Sequence, residues 1–272
     1  MRERGMNRKS KTNVGFSSFI ALIYVFIFAP IVIVVYMSFG KDKSNQFPLQ
    51  EFSLDWYEKL FQNMSVWGSY RISLIIALTS TFIVLILATL AAYAIVRYRF
   101  KFKSVFISLM LAPMLIPAVI TGISMLLYYN FLSVPSGMFT VVIGHVVLSL
   151  PYAAMIITAR MQGFDVHQEE AARNLGASDL TTFRKILMPY LMPGLIGGGL
   201  FALTISLDEF ALTFFLNSPS TQTLPIRIYS MLRFGITPEL NALSTIILLV
   251  SIGIVTLGTL AQKKNIYKEE KI

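Results

Sequence analysis

Residues 16–39 read FSSFIALIYVFIFAPIVIVVYMSF, and this stretch contains no charged side chain. Because a helix rises about 1.5 Å per residue, roughly 20 apolar residues cross the hydrocarbon core of a bilayer. The stretch is longer than the apolar region of a secretory signal, about 7–15 residues, and no small-x-small cleavage site follows it. We therefore interpret it as an uncleaved first membrane-spanning helix.

Five more segments of this kind follow along the chain. The predicted spans are residues 16–39, 72–96, 104–132, 137–159, 191–216 and 240–261. Only 14% of the residues are charged, whereas a soluble domain carries about 25%. Buried helices of a soluble protein are the alternative, but uncharged runs of this length are rare there. The sequence predicts an all-α integral membrane protein with six transmembrane helices in a single domain, residues 1–272.

The basic residues orient these spans. The 23 Lys and Arg residues lie mostly in four clusters, within residues 2–11, 97–103, 160–185 and 263–271. Six successive crossings put all four clusters on one side of the membrane. Because basic connections remain on the cytoplasmic side, we expect both termini in the cytoplasm. The connection 162–190, between the fourth and fifth spans, is then cytoplasmic.

Three prolines lie within the third and fourth predicted spans. Pro113 and Pro117 lie in the third span, and Pro151 lies in the fourth. Each proline removes a backbone donor and tends to kink a helix. Such breaks are tolerated where protein or a water-filled cavity lies alongside. Two interpretations remain open, simple curvature of the helix and a break beside a transport path.

The cytoplasmic connection 162–190 is polar and contains the run GFDVHQEEAARNLGASDLTTFRKILMP, residues 163–189. Polar helices at this surface have little lipid against which to bury a face. The small residues Ala171, Ala172 and Gly176 permit close approach by another protein. This pattern predicts a docking site, and a solvated surface hairpin is the alternative.

Capping residues predict two short helices in this loop. Asp165, with Gln168 three residues later, forms a capping-box pattern. Gly176 is typical of a left-handed stop after a helix. Ser178 caps a second helix, which we expect to end before Pro189.

The same loop resembles a family signature. Glu170-Ala171-Ala172, followed by Gly176, Ile186 and Pro189, is similar to the EAA signature of bacterial ABC-importer permeases. In that family the loop forms a coupling helix, which sits in a groove of a cytoplasmic ATPase. The resemblance implies a set of ATPase contacts: Glu170, Ala171, Ala172, Gly176, Phe183 and Pro189.

Further motifs extend the resemblance over nearly the whole chain after the first span. They are similar to permeases of spermidine/putrescine importers of the PotC type. The motifs are Trp56-Tyr57, Gly163-Phe164-Asp165, Ser206-Leu207-Asp208-Glu209, Leu224-Pro225, Ile228-Tyr229-Ser230-Met231 and Pro238-Glu239-x-Asn241-Ala242. The resemblance implies a type I ABC importer permease fold in the bacterial cell membrane. It also implies a heterodimer with a second permease of the PotB type, a cytoplasmic ATPase dimer and an extracytoplasmic substrate-binding protein.

The source of energy is expected to lie outside this chain. No Gly-x-x-x-x-Gly-Lys-Ser/Thr phosphate-binding loop occurs in the sequence. ATP and Mg²⁺ would therefore be bound by the partner ATPase, and we expect no cofactor and no metal in this subunit.

Two acidic residues, Asp208 and Glu209, lie inside a predicted span. An ionisable group at membrane depth costs roughly 2.5–3.5 kcal/mol, so such groups face a bundle interior or an aqueous path. Adjacent helix positions point about 100° apart, so one carboxylate can bind cargo while the other pairs with a neighbour. A structural ion pair, or a position near the external end of the span, is the alternative. Phe210 and Tyr229 could add cation–π contacts to a polyamine, which predicts a substrate path of these four residues.

One position departs from the polyamine pattern. Polyamine relatives often carry an acidic residue directly after the second proline of the third span, whereas here Ala118 follows Pro117. Either the partner permease supplies this charge or the cargo differs, since related permeases serve iron, phosphonates and other small solutes.

Other classes of function fit the sequence less well. A membrane enzyme is disfavoured because the chain lacks a His-Glu-x-x-His pair, a Gly-x-Ser-x-Gly elbow and any cysteine. A self-powered transporter would not need the docking loop. We interpret His145 as a hydrogen-bonded contact between helices and His167 as a surface residue. The sequence predicts a non-enzymatic permease that moves polyamine by alternating access, driven by a separate ATPase.

Overall fold

The structure, a computed structural model, describes residues 14–42, 47–233 and 235–269, without the side chains of residues 14, 254, 255 and 257–269. The predicted basic cluster at 2–11 lies outside the described residues. Within the described ranges the chain is helical, and Gly40 and Phe52 form an isolated antiparallel bridge. The helices are α1 (Val14–Met37), α2 (Asp55–Gln62), α3 (Met64–Arg97), α4 (Lys103–Leu115), α5 (Ala118–Phe131), α6 (Met138–Gln162), α7 (His167–Asn174), α8 (Asp179–Thr182), α9 (Met188–Asp208), α10 (Ala211–Leu216), α11 (Leu224–Arg233) and α12 (Pro238–Glu269). A π turn (Phe183–Leu187) joins α8 to α9, and a 3₁₀ turn (Pro219–Thr221) follows α10.

Four helical segments of the described chain are long and apolar enough to cross a membrane. They are Gly15–Met37, Met64–Arg97, Met138–Gln162 and the continuous run Asp179–Asp208. The pair α4 and α5 makes a fifth if it counts as one span. α12 contributes a shorter apolar helix, Pro238–Gly253. The membrane-protein class is therefore supported by four or five spans, and the sixth remains a prediction.

The third predicted span is not one helix, which corrects the sequence-based boundary 104–132. α4 and α5 meet at 107°, and both Ile116 and Pro117 have extended ψ angles, 128° and 134°. Pro117 disfavours helical geometry in the residue before it, so the chain leaves the helix at this point. Pro113 and Pro151, by contrast, lie inside α4 and α6 without ending them.

The fifth predicted span, 191–216, is also divided. α9 ends at Asp208, Glu209 has an extended ψ of 110°, and α10 begins at Ala211. The two acidic residues thus lie at the break and not within a continuous helix.

The second loop helix does not end before Pro189, which is a further correction. The π turn carries the helix onward, because the Met188 N–H donates to the Phe183 carbonyl oxygen five residues earlier. Pro189 then lies in the first turn of α9, directly after the π turn. The run Asp179–Asp208 is continuous as a result.

The chain divides into two compact units. In the unit formed by Met1–Asn63 and Met231–Ile272, α12 packs against α1 and α2. The unit Met64–Ser230 is built on α3, α6 and α9, which pack against one another. Small residues permit the close approach of these helices: a Cβ at Gly198 would lie 3.4 Å from the carbonyl oxygen of Ala153. Two apolar clusters form the core of this unit, one beside the loop 162–190 and one around α10.

Candidate functional site

The helix caps of the loop 162–190 agree largely with the sequence. Gly176 has a left-handed φ of +84°, and Ser178 Oγ accepts a hydrogen bond from the Thr181 N–H at 3.3 Å; both predictions are confirmed. Asp165 Oδ1 accepts from the His167 N–H at 3.0 Å. The predicted capping box with Gln168 is not formed, because the Gln168 N–H donates to the Asp165 backbone oxygen instead.

The residues expected to contact an ATPase differ in exposure. Glu170, Ala171, Gly176 and Pro189 are exposed, and Ala172 is half-buried. Phe183 is half-buried as well.

Phe183 packs against the apolar cluster formed by α3, α6 and α9. Phe183 therefore anchors the loop to these helices, in addition to its predicted contact with an ATPase.

Apolar side chains also protrude from the loop. Leu175 is 89% exposed, and Val166 and Leu180 are exposed as well. Leu180 was not singled out from the sequence, although an apolar residue in a polar turn is a readable signal. Exposed leucines beside an exposed carboxylate are typical of a protein-docking surface.

The inner side of the loop is held by five residues, here named the loop base: Arg97, Arg160, Phe164, Glu169 and Tyr190. The guanidinium Nη2 of Arg97 lies 2.7 Å from Glu169 Oε1. Arg97 also lies over the Phe164 ring, at 5.3 Å from its centroid. Phe164 makes an edge contact with Tyr190 at 4.9 Å, and Arg160 stacks on Tyr190 at 4.0 Å. Sequence reasoning missed this arrangement because no local pattern links Arg97 to a residue 72 positions away.

The two adjacent glutamates of α7 have different surroundings. Glu169 is buried, whereas Glu170 is exposed and its Oε2 lies 3.1 Å from His167 Nδ1. This hydrogen bond raises the pKa of His167 above its ordinary value, and the charges of Asp165 and Glu170 add to the shift. His167 is exposed, as predicted.

The helix break at Asp208 and Glu209 separates the two acids. Asp208 is the exposed last residue of α9. Glu209 Oε1 accepts a hydrogen bond from the Leu212 N–H at 2.7 Å, which caps α10. Thr213 Oγ1 donates to the Glu209 backbone oxygen at 3.1 Å.

Glu209, but not Asp208, lines a cavity of about 190 Å³. The cavity is lined by Pro113, Met114, Ile116, Ala118, Leu148, Tyr152, Ile205 and Glu209. Among these described lining residues Glu209 is the one acid. The break between α4 and α5 and the break before α10 therefore open onto the same space. Ala118, the position that departs from the polyamine pattern, lies in the wall of this cavity.

The structure brings Phe210 and Tyr229 together. Their ring centroids are 4.9 Å apart, and Phe214 contacts both, at 5.6 Å from Phe210 and 5.7 Å from Tyr229. These rings form an aromatic cluster next to the break, but they are not among the residues that line the Glu209 cavity.

His145 forms the predicted hydrogen bonds between helices. Its Nδ1 lies 2.6 Å from Ser206 Oγ, and its Nε2 lies 2.8 Å from Thr213 Oγ1. Ser206 Oγ in turn lies 3.1 Å from Ser80 Oγ. The network joins α3, α6, α9 and α10 just beside the helix break.

Long apolar helices, two spans broken beside a carboxylate, and a capped polar loop in which Glu170 and Ala171 are exposed define a membrane permease of the transporter class. The chain belongs to the family described as the inner membrane component of binding-protein-dependent transport systems, which it matches over residues 84–264. It is a multi-pass protein of the bacterial inner membrane.

Individual relatives are similar over most of the chain. The spermidine/putrescine transport system permease protein PotC of Haemophilus influenzae is 35% identical over 92% of this chain and 96% of the relative. PotC of Escherichia coli K12 is 34% identical over 87% of this chain and 89% of the relative. The putrescine transport system permease protein PotI of the same strain is 36% identical over 85% of this chain and 84% of the relative. The resemblance seen in the motifs is confirmed.

A solved structure has the same fold. It is the crystal structure of a bacterial ABC transporter involved in the import of the acidic polysaccharide alginate, with a TM-score of 0.74 and 17% identity. The match covers 96% of this chain and 99% of that chain.

Proposed function

We propose that the chain is the permease subunit of an ATP-binding-cassette importer that moves a polyamine, spermidine or putrescine, into the cell by alternating access. The observation that carries the cargo class is the position of Glu209. One carboxylate lines a cavity between two broken helices, where a cation can be paired away from bulk water. The relatives named for spermidine and putrescine support the same class of cargo.

The proposed cargo contact is an ammonium group of the polyamine on the carboxylate of Glu209. One oxygen of Glu209 already caps α10 through Leu212, so the cargo would bind a preorganised carboxylate. Tyr152, in the wall of the cavity, offers an aromatic face and a hydroxyl. Ala118 supplies no charge, so the partner permease would provide the carboxylate for a further ammonium group.

The proposed assembly has three further components. The exposed loop residues around Glu170 would dock into a cytoplasmic ATPase dimer, which binds ATP and Mg²⁺. A second permease of the PotB type would form the other half of the membrane domain, and an extracytoplasmic binding protein would deliver the cargo. The topology proposed for this subunit has six spans with both termini in the cytoplasm, so residues 162–190 face the ATPase.

The cargo and the carboxylate are tested together in proteoliposomes that contain the whole importer. We expect uptake of labelled spermidine or putrescine that excess unlabelled polyamine abolishes and that iron or phosphonate does not. Glu209→Gln retains the acceptor oxygen for Leu212, so we expect α10 to remain capped while uptake falls by about tenfold or more, as expected for loss of roughly 1.5–3 kcal/mol of charge-assisted binding.

Asp208→Asn is the matched control, because it removes the neighbouring charge outside the cavity. We expect it to lower uptake less than Glu209→Gln does. Wild-type uptake kinetics in Glu209→Gln would contradict the cargo site, and competition by iron or phosphonate would contradict the polyamine assignment.

A further inference from the structure

The ion pair of Arg97 and Glu169 lies in an unusual place for two charges. Nη2 and Oε1 are 2.7 Å apart, and the two side chains are only 13% and 12% exposed. Taking charges out of water is unfavourable, and a buried pair often adds little to stability compared with an apolar pair of the same size. Nε of Arg97 is also buried with no acceptor in the described part of the chain. Stability alone does not favour this arrangement.

The pair joins two elements that are far apart in the sequence. Arg97 is the last residue of α3, and Glu169 lies in the first turn of α7, the helix that carries the exposed Glu170. The remaining loop-base contacts extend this junction to the ends of α6 and α9. Arg160 Nε, for example, donates to the Tyr190 backbone oxygen at 2.9 Å.

α3 extends from the loop base to the region of the break between α9 and α10. It is one continuous helix of 34 residues. Farther along it, Ser80 bonds to Ser206, which bonds to His145. His145 then reaches Thr213, whose hydroxyl donates to the backbone of Glu209. A contiguous set of contacts, with α3 as its middle part, therefore joins α7 to the backbone of Glu209 within the unit Met64–Ser230.

We infer that Arg97 is a positioning residue that clamps α7 to α3 through Glu169, so that displacement of the loop moves α3 and α7 as one body. The inference rests on the proposed function, since the displacement would come from the partner ATPase. Of the two neighbouring glutamates, Glu170 faces outward toward that partner and Glu169 faces inward toward α3. Force received at the loop would be lost in local movement of α7 if the clamp were absent.

The clamp is measured directly by the distance between spin labels on α7 and beside the end of α3. The chain contains no cysteine, so Gln168→Cys and Arg99→Cys, both at exposed positions, introduce unique label sites in a complex with cysteine-free partners. We expect a narrow distance distribution that is the same with and without ATP. Adding Arg97→Gln is expected to broaden it, and the charge swap Arg97→Glu with Glu169→Arg is expected to narrow it again.

Coupling is measured as ATP hydrolysed per polyamine transported by the whole importer. We expect Arg97→Gln to raise this ratio by roughly 2- to 30-fold, the range for mutations along coupling networks, while the ATPase still co-purifies with the permease. The charge swap should return the ratio toward the wild-type value. Lys101→Gln, which removes an exposed charge near the same helix end, should leave the ratio unchanged.

A narrow distance distribution in Arg97→Gln, or a wild-type coupling ratio, would overturn the clamp. If the Arg97→Gln variant does not assemble, the double variant Arg97→Glu with Glu169→Arg is the test. A broad label distance distribution in an assembled importer with this double variant would also overturn the clamp. Failure of the wild-type importer to transport polyamine would overturn the proposed function alone, because the label distances do not depend on the cargo.

Discussion

Adjacent acidic residues have opposite surroundings at two places in this chain. Glu169 is buried against Arg97 while Glu170 is exposed, and Glu209 lines a cavity while Asp208 is exposed. On α7 the reason is geometric, since neighbouring helix positions point about 100° apart. At the break, α9 ends at Asp208 and the backbone of Glu209 is extended, so the two residues do not follow one continuous helix. The roles proposed for these sites therefore belong to single carboxylates and not to pairs.

The pKa of His167 is a residue-scale prediction. The hydrogen bond to Glu170 raises this pKa. The contact of protonated His167 with Glu170 is therefore fully formed below the ordinary histidine pKa, about 6.5. It is lost as the pH rises through the raised pKa. With only two histidines in the chain, histidine-selective NMR of the importer in nanodiscs can follow the ring directly. We expect titration above 6.5, and a lower pKa in Glu170→Gln.

Asp179→Asn is the control for this titration, because Asp179 lies in the same loop but pairs with Arg173. It should leave the His167 titration in place. An unchanged midpoint in Glu170→Gln would show that this hydrogen bond does not set the pKa.

At the scale of elements, two predicted spans are broken helices. The break between α4 and α5 follows from Pro117, and the break before α10 is stabilised by the Glu209 cap. α10 then packs closely on α5: a Cβ at Gly122 would lie 3.0 Å from Cα and 3.2 Å from the carbonyl oxygen of Leu212. A Cβ there would press on Leu212 atoms that belong to the backbone and cannot rotate away, so glycine fits this contact best.

Gly122→Ala is expected to destabilise the permease by about 1–3 kcal/mol, the usual effect of overpacking a close contact. The measurement is thermal unfolding of the assembled importer in detergent. Gly68→Ala is the matched control, since Gly68 is a helical glycine with open space around its Cβ position. We expect Gly68→Ala to be neutral or stabilising by about 0.5–1 kcal/mol. Equal midpoints for the two variants would contradict the close packing of α5 and α10.

At the scale of the whole molecule, function requires that the loop and the helix break belong to one connected unit. Both lie in Met64–Ser230, where α3, α6 and α9 pack together. The loop is exposed at Glu170 and Leu175 and anchored at Arg97. On the proposed function, we expect a partner that moves the loop to act on the cavity some distance away.

Glu170→Lys tests the dependence on the ATPase. We expect loss of ATPase co-purification and of polyamine uptake, because an exposed docking carboxylate is replaced by the opposite charge. Gln168→Lys is the control, an exposed position two residues earlier that points about 200° away on α7. Wild-type association in Glu170→Lys, or equal loss in both variants, would contradict the assignment of Glu170 to the ATPase contact.

Much of this architecture could be predicted because its causes are local. Runs of uncharged residues predict spans, and Gly176 and Ser178 predict caps. Pro117 left curvature and a break equally open, and the structure shows the break. The prediction that the helix ends before Pro189 is wrong because it also rests on a local rule. That rule does not reveal that a π turn can continue the helix past a proline, which lacks a backbone N–H.

The sequence by itself determined the membrane class, the loop and its family signature, because apolar length, capping and motif order are properties of neighbouring residues. Only the tertiary structure decided where the side chain of each acidic residue lies. Glu209 and Ala118 line one cavity, Arg97 forms an ion pair with Glu169, and His145 forms a hydrogen bond with Ser206. In each pair the two residues are distant in the sequence. Such contacts depend on how the helices pack, and no spacing along the sequence encodes them.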